Sequence, residues 1–394
     1  MTGAARLLPS IIVLAFVLAA CSGGDNDNGG GIAETPSVYA ALLGLIPDTP
    51  ETRRGVTMTD YSRGRELIGV KLPADPNDEA ALDAYLAEFA KQSVGAQDVR
   101  PFGGLAFIGG YDQYGRLVIR PSSIGYGAAH VDGEALAGEP PRAYQAVIGR
   151  FEPGAIKAAI EACDGCPAPS VQQHQGTTFY AWGNDFEQNL RGRLRPPAFD
   201  ALGRGGRMAF AESYVLRAEW TDGIKAMIDA SKGTSSLGKD TAYASMAREL
   251  DRMGSYVAYL TDEVQSRSRG LPPDLALGGN DPSVAAVRAA WSRQQDEVLL
   301  APYRSLGVGL ARDSQGPYTA IVLVHDSESA ASKNVDLLRR RIETATSYQA
   351  KKKWSEVFTR VEVSADGTLV RAKLYGSLLW VQFLFSLDPL LLSE

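Results

Sequence analysis

The chain has 394 residues and a formal net charge of −6, from 46 acidic and 40 basic side chains. A 45% hydrophobic and 22% charged composition is ordinary for a soluble globular protein, and the length allows two average domains or one large one. The acidic balance argues against nucleic acid or anionic lipid as the main partner.

Arg6 precedes the apolar run Ile11-Ile12-Val13-Leu14-Ala15-Phe16-Val17, and two small residues lead into Cys21. A charged start, a short apolar core and a small-residue cleavage site make a secretory signal, too short to span a bilayer stably. Leu18-Ala19-Ala20-Cys21 resembles the lipobox of bacterial lipoproteins. That resemblance implies cleavage before Cys21, a thioether-linked diacylglycerol on its sulfur, and a stable membrane anchor of two or more acyl chains. It implies a place in the cell envelope, on the outer face of the cytoplasmic membrane or, in a diderm, on the outer membrane. The plainer alternative is an ordinary signal with a chance cysteine. Residues 21–36 favour the lipobox, because Ser22-Gly23-Gly24-Asp25-Asn26-Asp27-Asn28-Gly29-Gly30-Gly31 buries nothing and reads as a flexible tether. Asp25 to Gly29 also mimics the start of a calcium loop, but Pro36 stands where that loop needs a glutamate. Loss of residues 1–20, with Arg6 their only charge, takes the net charge from −6 to −7.

Residues 37–265 read as an α+β region. Gly55 to Tyr61 predicts a strand. Asp78 to Phe89 predicts an amphipathic helix with Leu82, Tyr85, Leu86 and Phe89 on one face and Asn77 or Asp78 as N-cap. Leu105 to Ile108 and Leu117 to Ile119 are short strand candidates, followed by a turn-rich stretch to Pro140-Pro141. An internal repeat follows. Phe151 to Gly165 matches Trp220 to Gly233 with one residue deleted, and each copy follows an apolar strand, Ala143 to Gly149 and Tyr214 to Glu219. Both helices should stop at a glycine. A duplicated strand–helix unit is the expectation; convergence on Ala, Lys and Ile is the alternative. Between the copies, Thr177 to Trp182 and Met208 to Ala211 predict strands. A helix from Thr241 to Met253 and a strand from Tyr256 to Leu260 come after.

Residues 266–283 read as a linker or long loop before a C-terminal α+β region, 284–394. There, Leu306 to Leu310 and Tyr318 to Val324 predict a hairpin, Glu328 to Thr344 a long helix, and Arg360 to Val363 with Leu369 to Leu374 a second hairpin across Asp366-Gly367. Arg339-Arg340-Arg341 and Lys351-Lys352-Lys353 read as a solvated helix face, with lipid headgroups as the other reading. Leu378 to Leu387 is the most apolar stretch after the signal and too short to span a membrane; it is a buried helix or an exposed binding surface.

Cys163 and Cys166 have three readings. Outside the cytoplasm a close pair most simply forms a local disulfide; unpaired thiols and a metal or redox site are the alternatives. The pair follows a helical pattern, the wrong end for thiolate stabilisation. A zinc site drawing on His174 lacks an evident fourth ligand. Gly233 to Asp240 mimics a P-loop, but Asp240 stands where Mg²⁺ needs a hydroxyl. Ser236-Leu237-Gly238-Lys239 fits the Ser-x-x-Lys of penicillin-recognising enzymes without that class's other elements. His130, His174 and His325 are scattered and read as surface or satisfied core residues. The carboxylates Glu219 with Asp222 and Asp326 with Glu328 sit at strand-to-helix junctions, where capping explains them. The aromatics Tyr111, Tyr114, Tyr126, Tyr180, Trp182, Tyr214 and Trp220 read as core packing beside a sheet.

The pattern predicts α+β, with largely antiparallel sheets, packed helices and the duplicated unit. Ala146 to Pro153, Ser236 to Tyr243 and Lys353 to Phe358 make the body similar to uncharacterised bacterial envelope lipoproteins, a resemblance that carries no activity with it. Cys21 is the expected lipidation site, and no catalytic, cofactor or metal residue is assigned. The reading is a lipid-anchored, non-enzymatic envelope protein that binds a protein or small-molecule partner and no nucleic acid. A transporter's substrate-binding lipoprotein, with two parallel-sheeted lobes, is the alternative. A cell-wall hydrolase, recognisable by two close carboxylates in a cleft with one raised pKa, is the third.

Overall fold

The computed structural model describes residues 37–95, 120–162, 167–188, 205–266, 289, 292, 298–347, 350–376 and 390–394. Several predicted features lie outside them: Cys21 and its tether, Leu105 to Ile108, Leu117 to Ile119, Cys163 and Cys166, most of the 266–283 linker, and Leu378 to Leu387.

Among the described residues, ten α-helices and fourteen strands make an α+β fold around a large antiparallel sheet. The strands are β1 (Val56–Asp60), β2 (Val131–Ala137), β3 (Tyr144–Gly149), β4 (Ser170–His174), β5 (Thr177–Trp182), β6 (Gly206–Phe210), β7 (Tyr214–Ala218), β8 (Ser255–Thr261), β9 (Ser305–Asp313), β10 (Gly316–Val324), β11 (Thr346–Ser347), β12 (Lys352–Lys353), β13 (Arg360–Asp366) and β14 (Leu369–Tyr375). Twelve of them form one sheet, in the order β13-β14-β10-β9-β8-β1-β2-β3-β7-β6-β5-β4. Every ladder between its neighbours is antiparallel. The 37–265 and 284–394 regions both supply strands to this sheet, and Pro36–Glu394 forms one compact unit.

The helices are α1 (Val38–Leu45), α2 (Pro50–Arg53), α3 (Tyr61–Ile68), α4 (Glu79–Gly95), α5 (Pro121–Ile124), α6 (Pro153–Glu161), α7 (Thr221–Ser231), α8 (Thr241–Arg252), α9 (Glu328–Thr344) and α10 (Trp354–Val357). On one face of the sheet, α1, α7 and α8 cover a core of Leu42, Met58, Ala146, Ile224, Met246 and Val322. On the other, α3 to α6 cover the β2–β7 half through Leu82, Phe89, Val147, Ile156 and Ile160. There α9, α10 and the chain end cover the other half through Val308, Ile321, Leu338, Trp354 and Leu390. Two covered faces explain why β10 reads Ala320-Ile321-Val322-Leu323-Val324 without alternation. Each fully buried isoleucine contributes about 2 kcal/mol.

Most predicted elements form where expected. The Asp78 carboxylate caps α4 through the Ala80 and Ala81 N–H groups, and Leu82, Tyr85 and Phe89 are buried on one face. The Glu328–Thr344 helix and the 305–324 and 360–375 hairpins are present. The predicted first strand ends one residue early, because the Asp60 carboxylate accepts from Arg63 N–H and opens α3 at Tyr61. Strand β2 lies in the stretch read as turns.

Both repeat copies form a strand and a helix, yet α6 packs on one face of the sheet and α7 on the other, so duplication is not shown. The glycine stop holds for α7, whose Gly233 has φ +75°. Helix α6 gives way at Ala162. The basic face also needs correction. Arg341 is buried, because its guanidinium donates to the Leu390 and Val298 carbonyls, which no solvated residue could reach.

One guanidinium ties the sheet centre to three segments. Arg53 donates to Asp48 at 2.6 and 2.8 Å, to Asp240 at 2.8 Å and to Asp262 at 2.9 Å. Asp240 also caps α8, and the Tyr243 hydroxyl returns to the Arg53 carbonyl. Arg53→Met strands three carboxylates and should cost about 2 kcal/mol, discounted for partial exposure. Urea unfolding measures this, and Arg53→Lys should recover less than half, since a single ammonium lacks the planar fork that reaches all three.

Candidate functional site

A cleft of about 740 Å³ opens between the 72–77 loop, the turn before β2 and the start of α6. Leu72, Pro73, Phe151 and Pro153 form apolar walls, and Asn77, His130, Arg150, Glu152 and Glu212 are polar. Three local features place them. A 3-10 turn, Ala128–His130, sets His130 down with its N–H on the Gly127 carbonyl at 3.0 Å. Gly149 lets β3 cross this turn closely, since a Cβ there would lie 2.0 Å from the His130 oxygen. The Arg150 N–H then reaches that oxygen at 2.9 Å. Finally, Phe151 N–H donates to the Glu212 carbonyl at 2.8 Å, which draws the β6–β7 turn to the cleft.

His130 is 6% exposed. Its Nδ1 accepts the Gly127 N–H at 3.1 Å, so the neutral ring carries its proton on Nε2. Burial pulls its pKa below the usual imidazole range, while the carboxylates of Glu152 and Asp75 act the other way. The ring is therefore neutral at pH 7. Nε2 has no protein partner among the described residues. Glu152 precedes a proline and stays extended, and it gives α6 no side-chain cap. Ala155 and Ile156 N–H groups bond the Glu152 carbonyl, but Gly154 N–H has no protein partner among the described residues.

A second polar group is buried in the sheet behind α3. Glu134 on β2 accepts from Gln145 Nε2 at 2.5 Å and Tyr61 Oη at 3.1 Å. Burial pushes its carboxyl up to about 7, against those bonds and the positive Arg217. Arg217 itself donates to the Tyr126 hydroxyl. Nearby, Asp132 accepts from Arg65 at 2.9 Å and pairs with Arg150 at 3.7 Å, which links the cleft rim to the buried Arg65. Glu134 does not line the cleft.

The other residues considered from sequence do structural work. Ser236 to Lys239 docks on α1: Leu237 N–H bonds the Ile46 carbonyl, Gly238 lies against Gly44, and Asp240 caps α8. This is neither a phosphate loop nor a nucleophile site. His174 Nε2 lies 2.6 Å from Asp229, and buried His325 lies 2.6 Å from Asn334 Nδ2. Ser327, not Asp326, caps α9, and α7 has no side-chain cap at Trp220, with Asp222 in its first turn. Tyr126, Tyr180, Trp182 and Trp220 pack in the core. No group of three metal-ligating side chains exists among the described residues.

Sequence reasoning passed over His130, Arg150, Glu152 and Glu212 as a set. Their one local signal is Glu152-Pro153-Gly154, a helix start without a capping side chain.

No family model and no curated protein matches the chain. Among solved structures it resembles TP0453 of Treponema. Crystal form I is 8% identical with a TM-score of 0.36, covering 88% of this chain and 97% of that one. Crystal form III is 8% identical with a TM-score of 0.35, covering 84% and 92%. A likeness this slight carries no weight for function. No helix among the described residues is long and apolar enough to cross a membrane.

The Glu134 carboxyl binds a proton more tightly folded than unfolded. Its stabilising protonation is complete below pH 4.5 and is lost as pH rises to about 7. Wild type should therefore lose about 3 kcal/mol relative to Glu134→Gln over that range. Urea unfolding of both proteins at each pH measures the difference, and parallel curves would contradict it.

Proposed function

We propose that the protein is a lipid-anchored envelope protein, held through Cys21, whose body binds a small ligand or partner without transforming it. The observation that carries the binding role is the pair of unpartnered donors, His130 Nε2–H and Gly154 N–H, facing one cleft. A buried donor such as His130 is costly unless something accepts from it, and the exposed Gly154 N–H lies at the same cleft. The anchor rests on Leu18-Ala19-Ala20-Cys21 and the glycine-rich tether after it. The compartment would be the outer face of the cytoplasmic membrane or an outer membrane.

Binding is favoured over catalysis because, among the described residues, the cleft's side chains include no hydroxyl or thiol for His130 to activate. A hydrolase would need a carboxyl of raised pKa in its cleft, and the two such carboxyls among the described residues, Glu134 and Asp60, line no part of it. A transporter's substrate-binding lipoprotein would have two parallel-sheeted lobes, whereas the described strands of the large sheet are antiparallel.

Radiolabelled palmitate tests the anchor. Full-length protein expressed in a bacterium that processes lipoproteins should take up the label, and Cys21→Ala should take up none. An unlabelled wild-type chain overturns the reading.

A further inference from the structure

We infer that the His130 cleft takes a zwitterion of the α-amino-acid or short-peptide class, its carboxylate on His130 Nε2–H and Gly154 N–H and its ammonium toward Glu152 and Glu212. This rests on the cleft being the binding site proposed above. His130 is 6% exposed and lines the cleft, with Nδ1 taken by Gly127 and Nε2 left to donate. Gly154 N–H stands in the first turn of the nine-residue helix α6, where the helix dipole favours a negative group. A Cβ built at Gly154 meets nothing within 4 Å, so a ligand can approach this backbone. Arg150, at the same rim, adds positive charge.

Glu152 and Glu212 line the same cleft, and no salt bridge engages either among the described residues. A simple anion would leave two carboxylates opposing it. A simple cation would leave the His130 Nε2–H and the Gly154 N–H unmatched. A molecule carrying both charges on neighbouring atoms answers both ends, and Leu72, Phe151 and Pro153 offer an apolar wall for its side chain. A volume of about 740 Å³ holds a dipeptide with room for water.

Isothermal titration calorimetry on detergent-solubilised full-length protein tests this with alanyl-leucine, its N-acetyl derivative and its C-terminal amide. Alanyl-leucine should bind saturably, and each blocked form should bind at least tenfold more weakly. His130→Gln should weaken alanyl-leucine at least tenfold. The exposed pair Glu152→Gln and Glu212→Gln, which leaves the core untouched, should abolish the preference for the free amine. Absent binding of alanyl-leucine, or equal binding of the blocked forms, overturns the zwitterion. Maltose and inorganic phosphate separate the two levels. If either binds in a His130-dependent way while alanyl-leucine does not, the cleft stands as a site and only its ligand class falls. If none of them binds, the cleft reading falls as well.

Discussion

Strand β1 is the hinge on which the rest of the structure depends. It is five residues long, and its two edges pair with strands from distant parts of the chain. Val56 to Thr59 pair with Leu260 to Val257 of β8, and Val56 to Asp60 pair with Ala137 to Gly133 of β2. Without it, the half from β2 to β7 and the half from β8 to β14 would each end in an open edge at the centre. Its flanks are held accordingly. Arg53 gathers three carboxylates just before it, and Gly55 gives room to the Tyr259 ring, since a Cβ there would lie 2.7 Å from the Tyr259 hydroxyl. Asp60 caps the helix just after it.

A sheet covered on both faces leaves few places for polar side chains; several of its buried charged groups are paired, while the Ser255 and Thr319 hydroxyls have no partner among the described residues. Glu134 meets Gln145 and Tyr61, Arg217 meets Tyr126, and Arg65 meets Asp132 and the Val131 carbonyl. The outer edges are treated differently. β13 presents Arg360, Glu362 and Asp366, charges that discourage pairing with another chain, while β4 is short and carries Gln172 and Gln173. The cleft forms where β2 begins and β3 ends, beside the start of α6, and His130 Nε2 and Gly154 N–H have no protein partner there among the described residues.

What was legible locally follows from short-range physics. The Asp78 cap, the Ser327-capped helix and the Asp366-Gly367 hairpin are each encoded within a few residues. Two misses also have local causes. β2 contains Asp132, Gly133 and Glu134, polar and glycine residues that break the period-two signal. α3 carries Gly64 and three charged residues in eight, so its apolar stripe is too thin to read. The site was less legible than the fold. His130, Glu152 and Glu212 come from separate segments and share no spacing, so no motif announces them.

The sequence by itself determined most element types, the hairpin partners and the lipobox-like Cys21, because periodicity, caps and turn residues act over a few positions. The tertiary structure alone decided that β1 enters between β2 and β8, that the two similar strand–helix segments place α6 and α7 on opposite faces, and that residues from three distant segments, His130, Arg150 with Glu152, and Glu212, share one cleft. Those outcomes depend on which apolar faces bury each other across long stretches of chain. That choice is made by the whole core at once, and no local pattern records it.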